Sequence, residues 1–170
     1  MVARNETIFK WALYGAATLL CLMVQGFFLQ RISLWGAMPF LYPVLAAVVA
    51  TYERPLSGAI YGLVLGFTCD LLLAGPIPCF YTLVFPLVSL CAAGIAQGLL
   101  STGLLCSLAA SVSAFVLTDG FHCFLLWVQG SSAWQAGFSM LGREVAVSAA
   151  FVVPVSLLFR AVHRRTERDN

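Results

Sequence analysis

The stretch "SGAIYGLVLGFTCD", Ser57 to Asp70, decides how the rest of the chain is read. Gly58, Gly62, Gly66 and Asp70 recur at every fourth position. Residues four apart share a face of an α-helix, so three bare backbone positions and one carboxylate form a single, slightly drifting stripe. The residues between them are almost all apolar. Small residues at this spacing let two membrane helices approach closely. "GIAQG", Gly94 to Gly98, repeats the pattern and is the expected facing surface, with packing inside the chain favoured over dimerisation.

Outward from this stretch the chain stays apolar. Of its 170 residues 61% are hydrophobic and 9% charged, against about 25% charged in an ordinary soluble domain. A chain of this kind cannot cover itself with polar surface, and runs of 18 or more residues with few charges read as transmembrane helices. Cutting at charges, prolines and glycine clusters predicts six spans, at about 11–29, 34–52, 55–74, 80–100, 103–128 and 141–162, forming one all-α transmembrane domain over 1–170. The connections are short, apart from "QGSSAWQAGFSM" before the last span. The first run, Trp11 to Leu29, is longer than a usual signal-peptide core and no small-x-small cleavage site follows it, so it reads as a span.

Arginine and lysine placement orients the bundle, because these residues stay on the cytoplasmic side of short loops. Arg4, Lys10, Arg54, Arg160, Arg164, Arg165 and Arg168 all fall on one side of a six-span chain, and Arg31 and Arg143 on the other. Both termini are therefore expected in the cytoplasm. The basic end, "RAVHRRTERDN", reads as a stop-and-orient signal, with contact to anionic lipid as the second reading. Pro39 and Pro43 fall inside the second span, which predicts a bent helix, whereas Pro55 at the start of the third costs little.

With this orientation Asp70, Asp119, His122, Arg143 and Glu144 gather toward the extracytoplasmic leaflet. An unpaired charge near the midplane costs at least about 2.5 kcal/mol, so partners or water are required. Three readings are open. The acids can be structural, accepting hydrogen bonds from Arg143, His122 or free backbone N–H groups; they can line a polar cavity open to the outside, for a ligand or a partner's side chain; or they can belong to a proton or ion relay. A relay needs acidic steps across the whole membrane, which the inner half does not offer. His122 and the tail residue His163 assemble no metal-ligand set, and no cofactor motif is present. The six cysteines, Cys21, Cys69, Cys79, Cys91, Cys106 and Cys123, form no CxxC pair and read as small buried hydrophobes. No GxSxG, HExxH or P-loop string occurs, so the expectation is a protein that is not an enzyme.

The run from Gly58 to Leu90, "GAIYGLVLGFTCDLLLAGPIPCFYTLVFPLVSL", resembles the signature region of the MreD family, the rod shape-determining membrane proteins of bacteria. Gly62, Gly66, Phe67 and Asp70 match its glycine-rich helix, and Phe85, Pro86 and Leu87 the helix after the turn. Where members usually place a glycine after the turn, this chain has "PIPC", Pro76 to Cys79. The resemblance implies a non-catalytic scaffold of the cell-elongation complex in the bacterial plasma membrane. Its implied partners are an MreC-like protein, a RodA-like glycosyltransferase with its transpeptidase, and an MreB-like filament. It also implies a bundle similar to the six-helix substrate-binding components of energy-coupling-factor vitamin transporters, which makes such a component the alternative. "ALYGA", Ala12 to Ala16, has the Ala-xxx-Ala spacing of their docking patch.

Overall fold

The computed structural model describes residues 2–31, 36, 38–73, 75, 77–98, 103–131 and 133–168, with backbone only for 2–7, 133–136, 138, 140 and 166–168. The chain is an all-α membrane bundle with no strand among the described residues. Its helices are α1 (Val2–Phe27), α2 (Tyr42–Tyr52), α3 (Pro55–Leu72), α4 (Phe80–Gly98), α5 (Leu104–Val128) and α6 (Ala133–Arg168), with a 3-10 turn at Leu29–Arg31. Five stretches are long and apolar enough to cross a bilayer, namely Ile8–Arg31, Pro55–Leu72, Phe80–Gly98, Leu104–Val128 and Leu141–Arg165. These make the chain a multi-pass membrane protein.

The second span is the exception. The 34–52 span was expected to be one bent helix, yet the helix begins only at Tyr42, and 32–35 and 37 lie outside the described residues. Proline explains the start. Pro43 has no N–H to give and fits only in the first turn, where it stands. Pro39 lies in the non-helical segment 38–41 that leads in. At about 1.5 Å per residue, α2 covers roughly half of a hydrocarbon core of about 30 Å. Every residue from Tyr42 to Thr51 is buried, as expected of a helix apolar on all sides. α2 is the axis of the molecule, packed by α3, α4, α5 and α6, while α1 lies outside against α6.

Non-helical backbone at membrane depth survives only when protein satisfies it. Gln25, the amide in the apolar part of α1, does this at 38–41: its Nε2 donates to the Pro39 carbonyl at 2.8 Å and its Oε1 accepts from Leu41 N–H at 3.1 Å. Ser148 of α6 accepts from Phe40 N–H at 3.1 Å.

The glycine stripe packs inside the chain. A Cβ on Gly58 would lie 3.1 Å from the Ala50 Cα of α2, and one on Gly62 2.8 Å from the Phe85 carbonyl oxygen of α4. On Gly66 it would lie 2.7 Å from the Tyr81 carbonyl carbon. The facing row is thus Tyr81, Phe85 and Ser89, spaced by four on α4. A Cβ on Gly94 or Gly98, expected to face the stripe, would meet nothing within 4 Å among the described residues. These glycines lie five and nine residues beyond Ser89, about 140° and 180° around α4 from it, so they point away from the stripe. The sixth helix also starts earlier than 141, at Ala133, so most of "QGSSAWQAGFSM" is helical.

One contact fixes the sense of the helices. Lys10 of α1, Glu53 between α2 and α3, and His163 of α6 meet at one end of the bundle. The start of the first span, the end of α2 and the end of the last span therefore share one end of the bundle.

Candidate functional site

At the opposite end, α3 delivers Asp70 to the start of α4. Its Oδ1 accepts from Tyr81 N–H at 3.0 Å, and its Oδ2 from Thr82 N–H at 2.8 Å and the Thr82 hydroxyl at 2.5 Å. The first N–H groups of any helix lack intrahelical partners and carry the positive end of its dipole. Asp70 acts as an N-cap supplied from the preceding helix. It can do so because Gly62 and Gly66 let α3 lie almost backbone-to-backbone on α4. The residue that would ordinarily cap is Cys79, whose carbonyl accepts the first helical bond from Leu83 N–H. Cys79 has φ of 60°, the left-handed region that favours glycine. This is the "PIPC" position where the resembling family usually carries glycine.

Asp119 of α5 and Glu144 of α6 lie within electrostatic reach of each other, and both, like Asp70, lie within reach of Tyr81. The bundle thus brings together three of the five predicted residues. Asp119 is half-buried and its Oδ2 has no hydrogen-bond partner among the described residues. Arg143 and His122 stand apart, both exposed. Arg143 precedes Glu144 on one helix, so the two side chains diverge by about 100° and only one can face inward. His122 turns its ring toward Phe80, with centroids 6.1 Å apart. Among the described residues no ion pair reaches Asp70, Asp119 or Glu144, and no group of three His, Cys, Asp or Glu could hold a metal.

Beside this cluster a cavity of about 540 Å³ opens where α2 begins, lined by Gln25, Gln30, Met38, Phe40, Tyr42 and Glu144 among others. A second space, about 510 Å³, is a lateral groove between α1 and α3. Its walls are apolar, and at its floor Thr18 Oγ1 and the Tyr61 hydroxyl hydrogen-bond at 2.7 Å.

Sequence reasoning missed the other end of the bundle. Glu53, with only 7% of its side chain exposed, is held by Lys10 Nζ at 2.6 and 2.9 Å from its two oxygens. His163 Nδ1 lies 3.7 Å from Glu53 Oε1 and 3.5 Å from the Tyr14 hydroxyl. A chain of hydroxyls continues inward from Tyr52 to Ser156 at 3.2 Å and from Ser156 to Ser107 at 3.0 Å. The one sequence signal was an acid at an interhelical elbow, on the same side as Lys10. Gln25 was also missed, although a lone amide in an apolar span is a recurrent interhelical hydrogen-bonding residue.

Comparison of the chain with protein-family models, curated proteins and solved structures finds no match.

Proposed function

We propose that this chain is an MreD-like, non-catalytic scaffold of the bacterial cell-elongation machinery. In this reading it lies in the plasma membrane with both termini in the cytoplasm. It binds an MreC-like protein and helps organise lateral peptidoglycan synthesis with a RodA-like glycosyltransferase, its transpeptidase and an MreB-like filament. The observation that carries the proposal is that the run bearing the resemblance, Gly58 to Leu90, folds as one unit. Gly62 and Gly66 sit on Tyr81 and Phe85, and Asp70 pins the start of α4. Of the resembling residues, Gly62, Gly66, Asp70 and Phe85 take part in this helix contact, while Phe67 and Leu87 face outward. The stripe is consumed inside the chain, so a partner would meet outward faces that this unit holds in place. The α1–α3 groove and the lipid-facing row Leu56, Ile60, Leu63 and Phe67 are such faces.

Purification from native membranes in mild detergent, with mass spectrometry of the co-purifying proteins, tests this. Recovery of an MreC-like protein with wall-synthesis enzymes is expected, and Asp70→Ala should lower that recovery while the chain still inserts. Unchanged recovery and unchanged cell shape in Asp70→Ala would remove Asp70 from the assembly role.

A second reading is favoured by the cavity beside α2. A half-length helix ending at an opening of about 540 Å³ suits a solute-binding component of a vitamin transporter, since broken helices often mark substrate sites in transporters. Ala12 and Ala16 are exposed on α1, where a coupling subunit could dock. Recovery of paired ATPases with a coupling membrane subunit would select this reading.

A further inference from the structure

We propose that the cavity at the start of α2 binds a small organic cation, an ammonium with apolar substituents. This goes beyond the scaffold reading and does not depend on it. The volume, about 540 Å³, falls in the range of roughly 300 to 1,000 Å³ typical of small-molecule sites.

The lining chooses the sign of the charge. A helix N-terminus ordinarily attracts anions through its free N–H groups, but here part of the donor set around it is taken. Phe40 N–H donates to Ser148 Oγ, Leu41 N–H to Gln25 Oε1, and Pro43 has none. The charged residue in the lining is Glu144, with Asp119 within electrostatic reach behind it. The cations nearest in the fold, Arg31 at the end of the 3-10 turn and Arg143 beside Glu144, are exposed and make no ion pair with either acid among the described residues. A carboxyl group in an apolar setting gains most from a charged hydrogen-bonding partner that brings its own apolar surface. Phe40 and Tyr42, packed edge-to-face with centroids 5.1 Å apart, add aromatic surface that attracts cations. Met38 and Leu73 supply apolar contact for the substituents.

The test uses the full chain in lipid nanodiscs, titrated with benzylammonium and, separately, with phenylacetate as an anion of similar size, followed by calorimetry. Saturable binding of the ammonium and none of the carboxylate is expected. Glu144→Gln should weaken binding at least about tenfold, the loss of one charge-assisted contact. Met38→Trp fills the mouth without touching the bonds of Gln25 or Ser148, and should abolish binding. No saturable ammonium binding by the unmodified chain, equal binding of phenylacetate, or undiminished affinity in Glu144→Gln overturns the proposal. The comparison of the two probes needs no variant, so a misfolded variant leaves the test intact. Partner capture reads a different surface, so failure of either experiment leaves the other standing.

Discussion

The two ends of the bundle handle buried charge in opposite ways. At one end Glu53 is buried and answered at once by Lys10, with His163 and Tyr14 beside it. At the other end three carboxyl groups lie within electrostatic reach of Tyr81, and among the described residues no side-chain cation pairs with them. Asp70 is compensated there by the N-terminus of α4, but Asp119 and Glu144 are not. A closed, self-satisfied end fits a structural clamp, since it ties α1, the α2–α3 elbow and α6 together. An end with surplus acid beside an open cavity has capacity left for something outside the chain.

The largest effect should come from separating the helices that create the acidic end. Gly66→Val puts a branched side chain where even a Cβ would lie 2.7 Å from the Tyr81 carbonyl carbon. Backbone faces backbone there, so no side-chain rotation makes room. A loss of at least about 3 kcal/mol is expected, read as the unfolding midpoint in mixed micelles. If Gly66→Val were tolerated, Asp70 would not owe its position to the stripe.

Next comes the clamp. Lys10→Met leaves the buried Glu53 carboxylate without its closest cation, at a cost of about 2 kcal/mol, below the fully buried case because Lys10 is partly exposed. The double variant Lys10→Met with Glu53→Gln should recover most of the loss, because the damage lies in the uncompensated charge. Asp70→Ala should cost somewhat less, about 1 to 2 kcal/mol, the range of a lost helix cap. Asp70→Asn should keep part of it, since one amide oxygen still accepts. Equal losses in Ala and Asn would show that the charge itself, facing the dipole of α4, carries the stabilisation.

Much of the fold was legible because its causes are local. Composition and run length set the membrane class, and the four-residue glycine period placed α3 on a close neighbour. What stayed hidden depended on long-range partners. Lys10 and Glu53 are 43 positions apart, and no local pattern pairs them. The Pro39 and Pro43 pair announced a disruption, but a kink and a late start share that signature until Gln25 and Ser148 are seen holding 38–41. Which way Arg143 and His122 point was not legible, since a residue's direction around a helix changes with every position. Gly94 and Gly98 show the same limit. Their spacing matched the stripe, but α4 faces α3 through Tyr81, Phe85 and Ser89.

A smaller effect of opposite sign is expected at the turn between α3 and α4. Cys79 holds a left-handed φ of 60°, which costs an L side chain about 1 kcal/mol or more, while glycine loses more freedom on folding. Cys79→Gly should therefore raise the unfolding midpoint by a net gain of about 0.5 kcal/mol, provided its capping carbonyl keeps the Leu83 bond.

The smallest effect sharpens the comparison most. Glu53→Gln and Glu144→Gln make the same chemical change at opposite ends. At Glu53 the change orphans Lys10 and loosens the three-way contact, so stability falls. At Glu144 no ion pair is lost among the described residues, and one of two neighbouring carboxyl groups becomes neutral, which relieves the repulsion at Asp119. The expected change there is within about 0.5 kcal/mol of zero or slightly stabilising. Side-by-side unfolding of the two variants in the same lipid decides the matter. A loss at Glu144 as large as that at Glu53 would mean that Glu144, too, has an internal partner and that this end is as closed as the other. A neutral Glu144→Gln would mean that its carboxyl group does not hold the fold together, leaving the cavity it lines as its place of work.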